Sequence, residues 1–307
     1  MGLEQQGWWS VMQGLYRRGA GIAFFFAAVA CGLFASATAW SAETSVPADS
    51  RLKAIAAKKV IRIAYRADAR PFAFLNDNKE PLGYTIDLCQ QVVKSIQQQF
   101  NLSDLKIEWV PVTVDTRFSA VASGKADMEC GSSTVTLSRM KEIDFSNLVF
   151  VESTGVLVSA NSNIHAFADM AGKKIAVVTG TTNERVVKEQ LRLRSLDATI
   201  VQVKDRDEAI AALESGKVDG FASDKLLLAG AQVKNPEALV MLPDDLSIEQ
   251  YAIVLPRGDW AFRLAVNTGL AQFFRAGKTN DLFERWFFGS RPGLLLEALY
   301  ALGRISD

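Results

Sequence analysis

Histidine is almost missing from this chain, with His165 alone among 307 residues, and cysteine is scarce, with only Cys31, Cys89 and Cys130. That shortage argues against a zinc site of ordinary spacing and most Ser-His or Cys-His nucleophile systems, which need imidazoles or thiolates in number. No metal or other cofactor is expected. Neither charge is in excess, since 34 basic residues face 34 acidic ones and the formal net charge is zero. Without a basic surplus to release counterions, nucleic acid and anionic membranes are not expected partners. Beyond the N-terminal region no stretch is apolar for long enough to span a bilayer.

The N-terminus itself carries an export pattern. Arg17-Arg18 precede an apolar run, 19–39, that ends in small residues around Ala37-Thr38-Ala39 and Ser41-Ala42. A basic, an apolar and a small-residue region in that order read as a cleaved secretory signal over 1–42, with an uncleaved anchor as the alternative. Cys31 lies within the run, but Ala28 stands where lipidation sites usually carry a larger aliphatic residue, so lipid anchoring is not expected. The remaining chain is expected to be periplasmic.

From about Arg51 short β-branched runs alternate with helical stretches, the pattern of an α/β fold with largely parallel strands. Strands are expected at 60–65, 107–112 and 126–130, with helices at 84–100 and 116–123. A second set follows, with strands at 174–178, 198–203 and 218–222 and helices at 183–193 and 207–215. Val121-Ala122-Ser123-Gly124-Lys125-Ala126-Asp127 resembles Leu213-Glu214-Ser215-Gly216-Lys217-Val218-Asp219, in each case a helix stopping at Ser-Gly ahead of a strand. The matching positions favour duplicated topology over convergence on a helix-stop signal. Strand-like crossings at 148–159 and 250–256, then helices at 261–274 and 278–288, imply a discontinuous first lobe. The expected division is 43–153 with 253–307 as lobe 1 and 154–252 as lobe 2, joined by a two-strand hinge suited to closure on a ligand.

Three segments are candidate anion or ammonium sites. Gly131 to Arg139 follows a strand, where Ser132 and Thr134 offer donors and Arg139 a forked guanidinium for a carboxylate; the alternative is a turn whose hydroxyls only cap a helix. Gly180-Thr181-Thr182-Asn183-Glu184 fits a capping box, with anion binding at the helix start as an addition. Asp224, at a strand end, is either a helix cap or a partner for an ammonium group. Arg139 with Asp224 matches the two charges of an amino acid. Arg66 and Arg117, at successive strand ends, add positive charge beyond one α-carboxylate and point to an acidic amino acid.

From about Arg51 to Phe288 the sequence resembles the family 3 bacterial extracellular solute-binding proteins, the periplasmic amino-acid receptors of ABC importers. The matching residues are Arg66 with Pro71-Phe72, Gly83 to Leu88, Asp127 to Ser132, Thr136 to Arg139, Phe145-Ser146, Gly180-Thr181-Thr182 and Asp224. Pro111-Val112-Thr113 with Arg117, Lys204-Asp205 and Leu227 to Gly230 resemble the glutamate/aspartate-binding branch. The resemblance implies a two-lobe, type II periplasmic-binding-protein fold with the ligand in the cleft. It implies that Arg139 clamps the α-carboxylate with Ser132, Thr134, Thr181 and Thr182, that Asp224 takes the α-amino group, and that Arg66 and Arg117 surround the carboxylates. Two departures stand out, Val114 where the branch tends to have serine and Arg206 where it tends to have histidine. The branch also pairs the cysteine matching Cys130 with one where this chain has Ile253; Cys89 as substitute partner and two free thiols both stay open.

The resulting expectation is a non-enzymatic, monomeric receptor for L-glutamate or L-aspartate that docks on an ABC permease. The alternatives are a periplasmic dehydratase of cyclic amino-acid precursors with Glu129 or Glu152 as general acid, and a ligand sensor for a membrane receptor.

Overall fold

The computed structural model describes residues 46–287 and 291–306, so the expected signal segment and Cys31 lie outside the described residues. Helix α1 (Arg51–Lys58) starts at Ser50, whose Oγ accepts from the Leu52 N–H, and leads into β1 (Val60–Arg66). A small antiparallel sheet follows, made of β2 (Asp68–Ala69), β3 (Ala73–Leu75) and β4 (Pro81–Leu82). Next come α2 (Tyr84–Gln99), β5 (Lys106–Val112), α3 (Arg117–Ala122) and β6 (Met128–Glu129). The strand expected over 126–130 is short because the Ala126 N–H is spent on the Ala120 carbonyl of the preceding helix.

The crossing expected at 148–159 is two strands. β7 (Ile143–Glu152) belongs to the first sheet and β8 (Thr154–Ser159) to the second, and Ser153 alone separates them. The second set continues with β9 (Lys174–Val178), α4 (Thr182–Leu193), β10 (Thr199–Val203), α5 (Arg206–Glu214), β11 (Gly220–Asp224), α6 (Lys225–Lys234) and β12 (Leu239–Met241). β13 (Glu249–Pro256) returns to the first sheet and is followed by α7 (Trp260–Arg275), α8 (Thr279–Trp286) and α9 (Leu294–Leu302).

The two five-stranded sheets have matching orders, β5-β1-β6-β13-β7 and β10-β9-β11-β8-β12. In each, the first three strands are parallel and the next is antiparallel. The repeated Ser-Gly motif does the same work in both. Gly124 and Gly216 adopt positive φ of 80° and 70°, the conformation glycine takes without steric cost. Three residues later, Asp127 accepts from the Arg62 N–H of β1 and Asp219 from the Lys174 N–H of β9, each at 2.8 Å. Duplicated topology thus extends to individual hydrogen bonds.

Each sheet buries apolar side chains on both faces. Ile86, Cys89, Val92 and Ile96 of α2 pack with Phe262, Val266 and Phe274 of α7 on one face of the first sheet, and Val121, Val110 and Phe145 fill the other. The second sheet places Val178 and Phe221 against α5 and α6, and Ile175 and Val177 against α4. Each buried aliphatic or aromatic side chain contributes about 1.5–3 kcal/mol, enough to fix the sheets as frames for the loops at their ends. Cys89 of α2 is disulfide-bonded to Cys130, with Cα atoms 6.5 Å apart, which settles the pairing that the sequence leaves open. Among the described residues no helix is long and apolar enough to cross a membrane.

Candidate functional site

Beyond the carboxyl ends of parallel strands, backbone groups have left the ladder and side chains from neighbouring loops converge. β1 delivers Arg66 to that edge, 2% exposed. Its Nε and Nη2 donate to Asp68 Oδ1 and Oδ2 at 2.9 and 2.6 Å. From the second lobe, Arg206 at the start of α5 donates through Nη1 to the same Asp68 Oδ2 at 3.0 Å and to the Asp68 carbonyl at 3.2 Å. One carboxylate is therefore shared by guanidinium groups from both lobes. Burial raises the Asp68 pKa, yet the two arginines outweigh it and hold the carboxyl at about 2.

Arg117 and Arg139 have a different environment. Both lie over the Phe118 ring, 4.5 and 4.8 Å from its centroid. Arg117 Nη1 donates to the Val114 carbonyl at 3.0 Å, and Arg139 Nη1 to the Thr134 carbonyl at 2.7 Å. Arg117 Nε is buried without a partner. Burial, then the charges of Arg66 and Arg139, push Arg117 down to about 9, so it stays cationic at neutral pH. Glu129, at the end of β6, is fully buried with neither carboxyl oxygen hydrogen-bonded, and burial raises its pKa against the pull of Arg117. A Cβ on Gly131 would stand 2.3 Å from Glu129 Oε1. A larger residue at 131 would require the Glu129 carboxyl to shift. The buried hydroxyls of Ser132 and Ser133 in the same loop have no protein partner.

The second lobe supplies the opposing edge. Thr181 caps α4, its Oγ1 accepting from the Glu184 N–H at 3.3 Å and donating to the Val178 carbonyl at 2.7 Å. The reciprocal half of the expected capping box is displaced, since Glu184 Oε2 accepts from Gly180 N–H. Thr182, one residue on, is buried and its Oγ1 is 3.3 Å from Thr134 Oγ1 across the cleft. Asp224 starts α6 without a side-chain capping bond. It accepts instead from Asn183 Nδ2 at 2.9 Å, and that nitrogen also donates to Thr154 Oγ1 at 2.9 Å. Burial and the neighbouring Glu249 carboxylate raise the Asp224 pKa.

Arg66, Arg117, Ser132, Thr134, Arg139, Thr182 and Asp224 are thus gathered on one seam between the sheets, whereas the Thr181 hydroxyl is spent on its helix start. Val114 is buried against the second-lobe core, 8% exposed. Asp68, Asn183, Glu249 and Tyr251 also belong to this region and carry no local motif. Arg206 reaches the seam from the position at which the sequence departs from the acidic-amino-acid branch. Glu152, one candidate general acid, ends β7 outside the arginine group, and burial raises its carboxyl to about 8. The arrangement offers guanidinium and hydroxyl donors on one side and a buried carboxylate on the other, the complement of a zwitterion.

Comparison with known proteins gives a consistent picture. The family described as "Bacterial extracellular solute-binding proteins, family 3" matches residues 61–289. The L-glutamate/L-aspartate-binding protein of Pseudomonas aeruginosa is 34% identical over 239 residues, 77% of this chain and 79% of that protein. The glutamate/aspartate import solute-binding protein of Escherichia coli is 30% identical over 254 residues, 82% of this chain and 84% of the relative. Among solved structures, an ancestral amino acid-binding protein described as a precursor of cyclohexadienyl dehydratase superimposes with a TM-score of 0.68 at 29% identity, covering 78% of this chain and 100% of that one. An ancestral arginine-binding protein bound to arginine gives 0.67 at 27%, covering 75% and 98%.

Proposed function

The chain belongs to the bacterial extracellular solute-binding proteins of family 3, and from that premise we propose that it is the periplasmic receptor of an ABC importer for an acidic amino acid, L-glutamate or L-aspartate. The observation that carries the ligand class is the pair Arg117 and Arg139. Both are held over Phe118 and bonded to backbone carbonyls, and neither has a carboxylate salt-bridge partner among the described residues, while Arg66 and Arg206 share Asp68. Two guanidinium groups with no carboxylate bonded to them keep donors for two carboxylates.

In this reading Arg139 takes the α-carboxylate with Ser132, Thr134 and Thr182, Arg117 takes the side-chain carboxylate with Arg66 alongside, and Asp224 takes the α-ammonium. Thr181 acts by starting the helix that presents Thr182. The lobes, 43–153 with 253–307 and 154–252, close about Ser153–Thr154 and the opening residues of β13, and the closed monomer is the form handed to the permease. Relatives named for glutamate/aspartate import support the assignment.

The test is titration calorimetry on refolded, ligand-stripped protein with glutamate, aspartate, glutamine and arginine. Acidic ligands are expected to bind most tightly and to be recovered unchanged. Arg139→Ala and Asp224→Ala are each expected to abolish binding of every amino acid, and Arg117→Ala to weaken acidic ligands at least tenfold while sparing glutamine. Equal losses for all ligands in the Arg117 variant overturn its assignment; silence with all four overturns the reading.

A further inference from the structure

Glu129 has no part in the reading above, yet it stands beneath the arginine group. Strand β6 lies between β1 and β13, and Glu129 pairs in register with Ala64 on one side and Val254 on the other. Paired residues point to the same face of a sheet, so the carboxyl is flanked by two fully buried apolar side chains. Arg66, two residues beyond Ala64 in β1, shares that face. Glu129 is 0% exposed and neither of its oxygens has a hydrogen-bond partner, while Arg117 Nε and Ser133 Oγ are buried and unpartnered as well. A buried carboxyl with no hydrogen bond ties no two elements together by contact. What acts on it is charge at longer range.

That charge is all of one sign. α3 presents Arg117, β1 presents Arg66 and the turn beyond the Gly131–Thr134 loop presents Arg139, while β13 contributes the apolar Val254. Burial raises the Glu129 pKa, and Arg117, the Ser133 hydroxyl, Arg66 and Arg139 pull it down, in that order. The relation is reciprocal, since Glu129 in turn favours the charged forms of Arg117 and Arg139. Neither arginine forms an ion pair with it; they donate to the Val114 and Thr134 carbonyls. A carboxylate arriving with a ligand takes the same guanidinium groups by direct hydrogen bonds, which outweigh attraction at a distance. Glu129 then faces a second anion, and a like charge nearby favours its neutral form.

We propose that Glu129 sets specificity without touching the ligand: as a carboxylate it balances Arg117 before a ligand enters, and it takes one proton from solvent when a ligand's side-chain carboxylate arrives. This rests on the reading in which Arg117 takes that carboxylate. A neutral side chain brings no second anion and leaves Glu129 ionised. The α-carboxylate and the ammonium are common to glutamate and glutamine, so their effects on Arg139, Asp224, Glu249 and Glu152 cancel between the two ligands. His165 is exposed on the second lobe, away from the site. The sign follows from linkage: binding raises the Glu129 pKa, so acidic ligands bind most tightly below its ligand-free value and lose affinity as pH rises through its bound value. The preference for acidic over neutral amino acids therefore strengthens as pH falls.

The experiment is calorimetric titration of the full chain with glutamate and with glutamine over about pH 5–8, in two buffers of unlike ionisation enthalpy at each pH, which counts the protons bound. Glutamate is expected to take up more protons than glutamine, by up to one, and the glutamate-to-glutamine affinity ratio to rise at least about threefold on lowering the pH across that range, within the limit of about tenfold per pH unit that one proton allows. Glu129→Gln is expected to remove the excess uptake, to make the ratio independent of pH, and to bind glutamate more tightly than wild type at the alkaline end. A merely structural role would weaken both ligands together and keep the excess, and that result overturns the proposal. Equal proton counts for the two ligands in the wild type overturn it without any variant, and leave the acidic-ligand reading standing. With glutamine too weak to titrate, wild type against Glu129→Gln with glutamate gives the same count. Failure to bind glutamate or aspartate at any pH overturns both.

Discussion

Replacing Asp68 by asparagine removes the charge that two buried arginines share across the cleft, and the cost follows from the site. Asp68 drops from the usual 3.8 to about 2 because Arg66 and Arg206 together outweigh the effect of burial. A drop of that size corresponds to about 2.5 kcal/mol at about 1.4 kcal/mol per pH unit. The side chain is 31% exposed, and solvent screening reduces the figure to about 1–2 kcal/mol. For a protein of this size that lowers the melting temperature by about 2–8 °C. The pH dependence has a fixed sign: a depressed carboxyl stabilises fully above its unfolded value and loses that contribution as pH falls through its folded value. Thermal melts of wild type and Asp68→Asn are therefore expected to differ at pH 5–7 and to converge between about pH 4 and pH 2. Adding Arg206→Gln to Asp68→Asn is expected to cost less than Arg206→Gln alone, since the partner charge is already gone. A gap that persists unchanged at pH 2, or no gap at pH 7, refutes the shared-carboxylate account.

Glu152 has the opposite sign, since burial raises its carboxyl from 4.5 to about 8. Its contribution is full below pH 4.5 and disappears as pH rises through 8, so Glu152→Gln is expected to be more stable than wild type by about 2–4 kcal/mol at pH 8.5 and level with it at pH 4.5; equal denaturation midpoints at both pH values would sink this. Cys89 and Cys130 close a span of 41 residues, for which chain entropy gives about 4 kcal/mol. Cys89→Ser with Cys130→Ser is expected to lose roughly that much in urea unfolding, and a loss under about 1 kcal/mol would show that the unfolded chain gains little freedom from the cut.

Much of the frame is legible in the sequence because its signals are local. A Ser-Gly helix stop, a capping hydroxyl and a β-branched run act within a few residues, and all of them place the strand ends where Arg66, Ser132, Thr134, Arg139, Thr182 and Asp224 stand. What escapes the sequence is pairing over distance. Arg206 meets Asp68 from 138 residues away, Asn183 meets Asp224 from 41, and Glu249 meets Thr154 from 95. Neither Glu249 nor Tyr251 has a motif, since each acquires its neighbours only when β13 rejoins the first sheet. Helix α9 is likewise not marked in the sequence pattern. Leu294 and Leu302 there are 83% and 82% exposed while Leu296 and Tyr300 are buried, so the apolar stripe is blurred by leucines on the outer face.

The Cys89–Cys130 bond has a kinetic meaning. It fastens the residue immediately before the Gly131–Thr134 loop to the middle of α2, a helix locked into the main core. A loop tethered at its root is already near its working shape when a solute arrives. Less ordering remains to be done on encounter, and preorganisation of this kind removes a cost that a slack loop would meet with every molecule bound. Capture is then expected to be limited by diffusion and lobe closure rather than by ordering of the loop. A scavenger working in dilute surroundings meets its ligand rarely, and a receptor held ready by a covalent tether wastes fewer of those meetings.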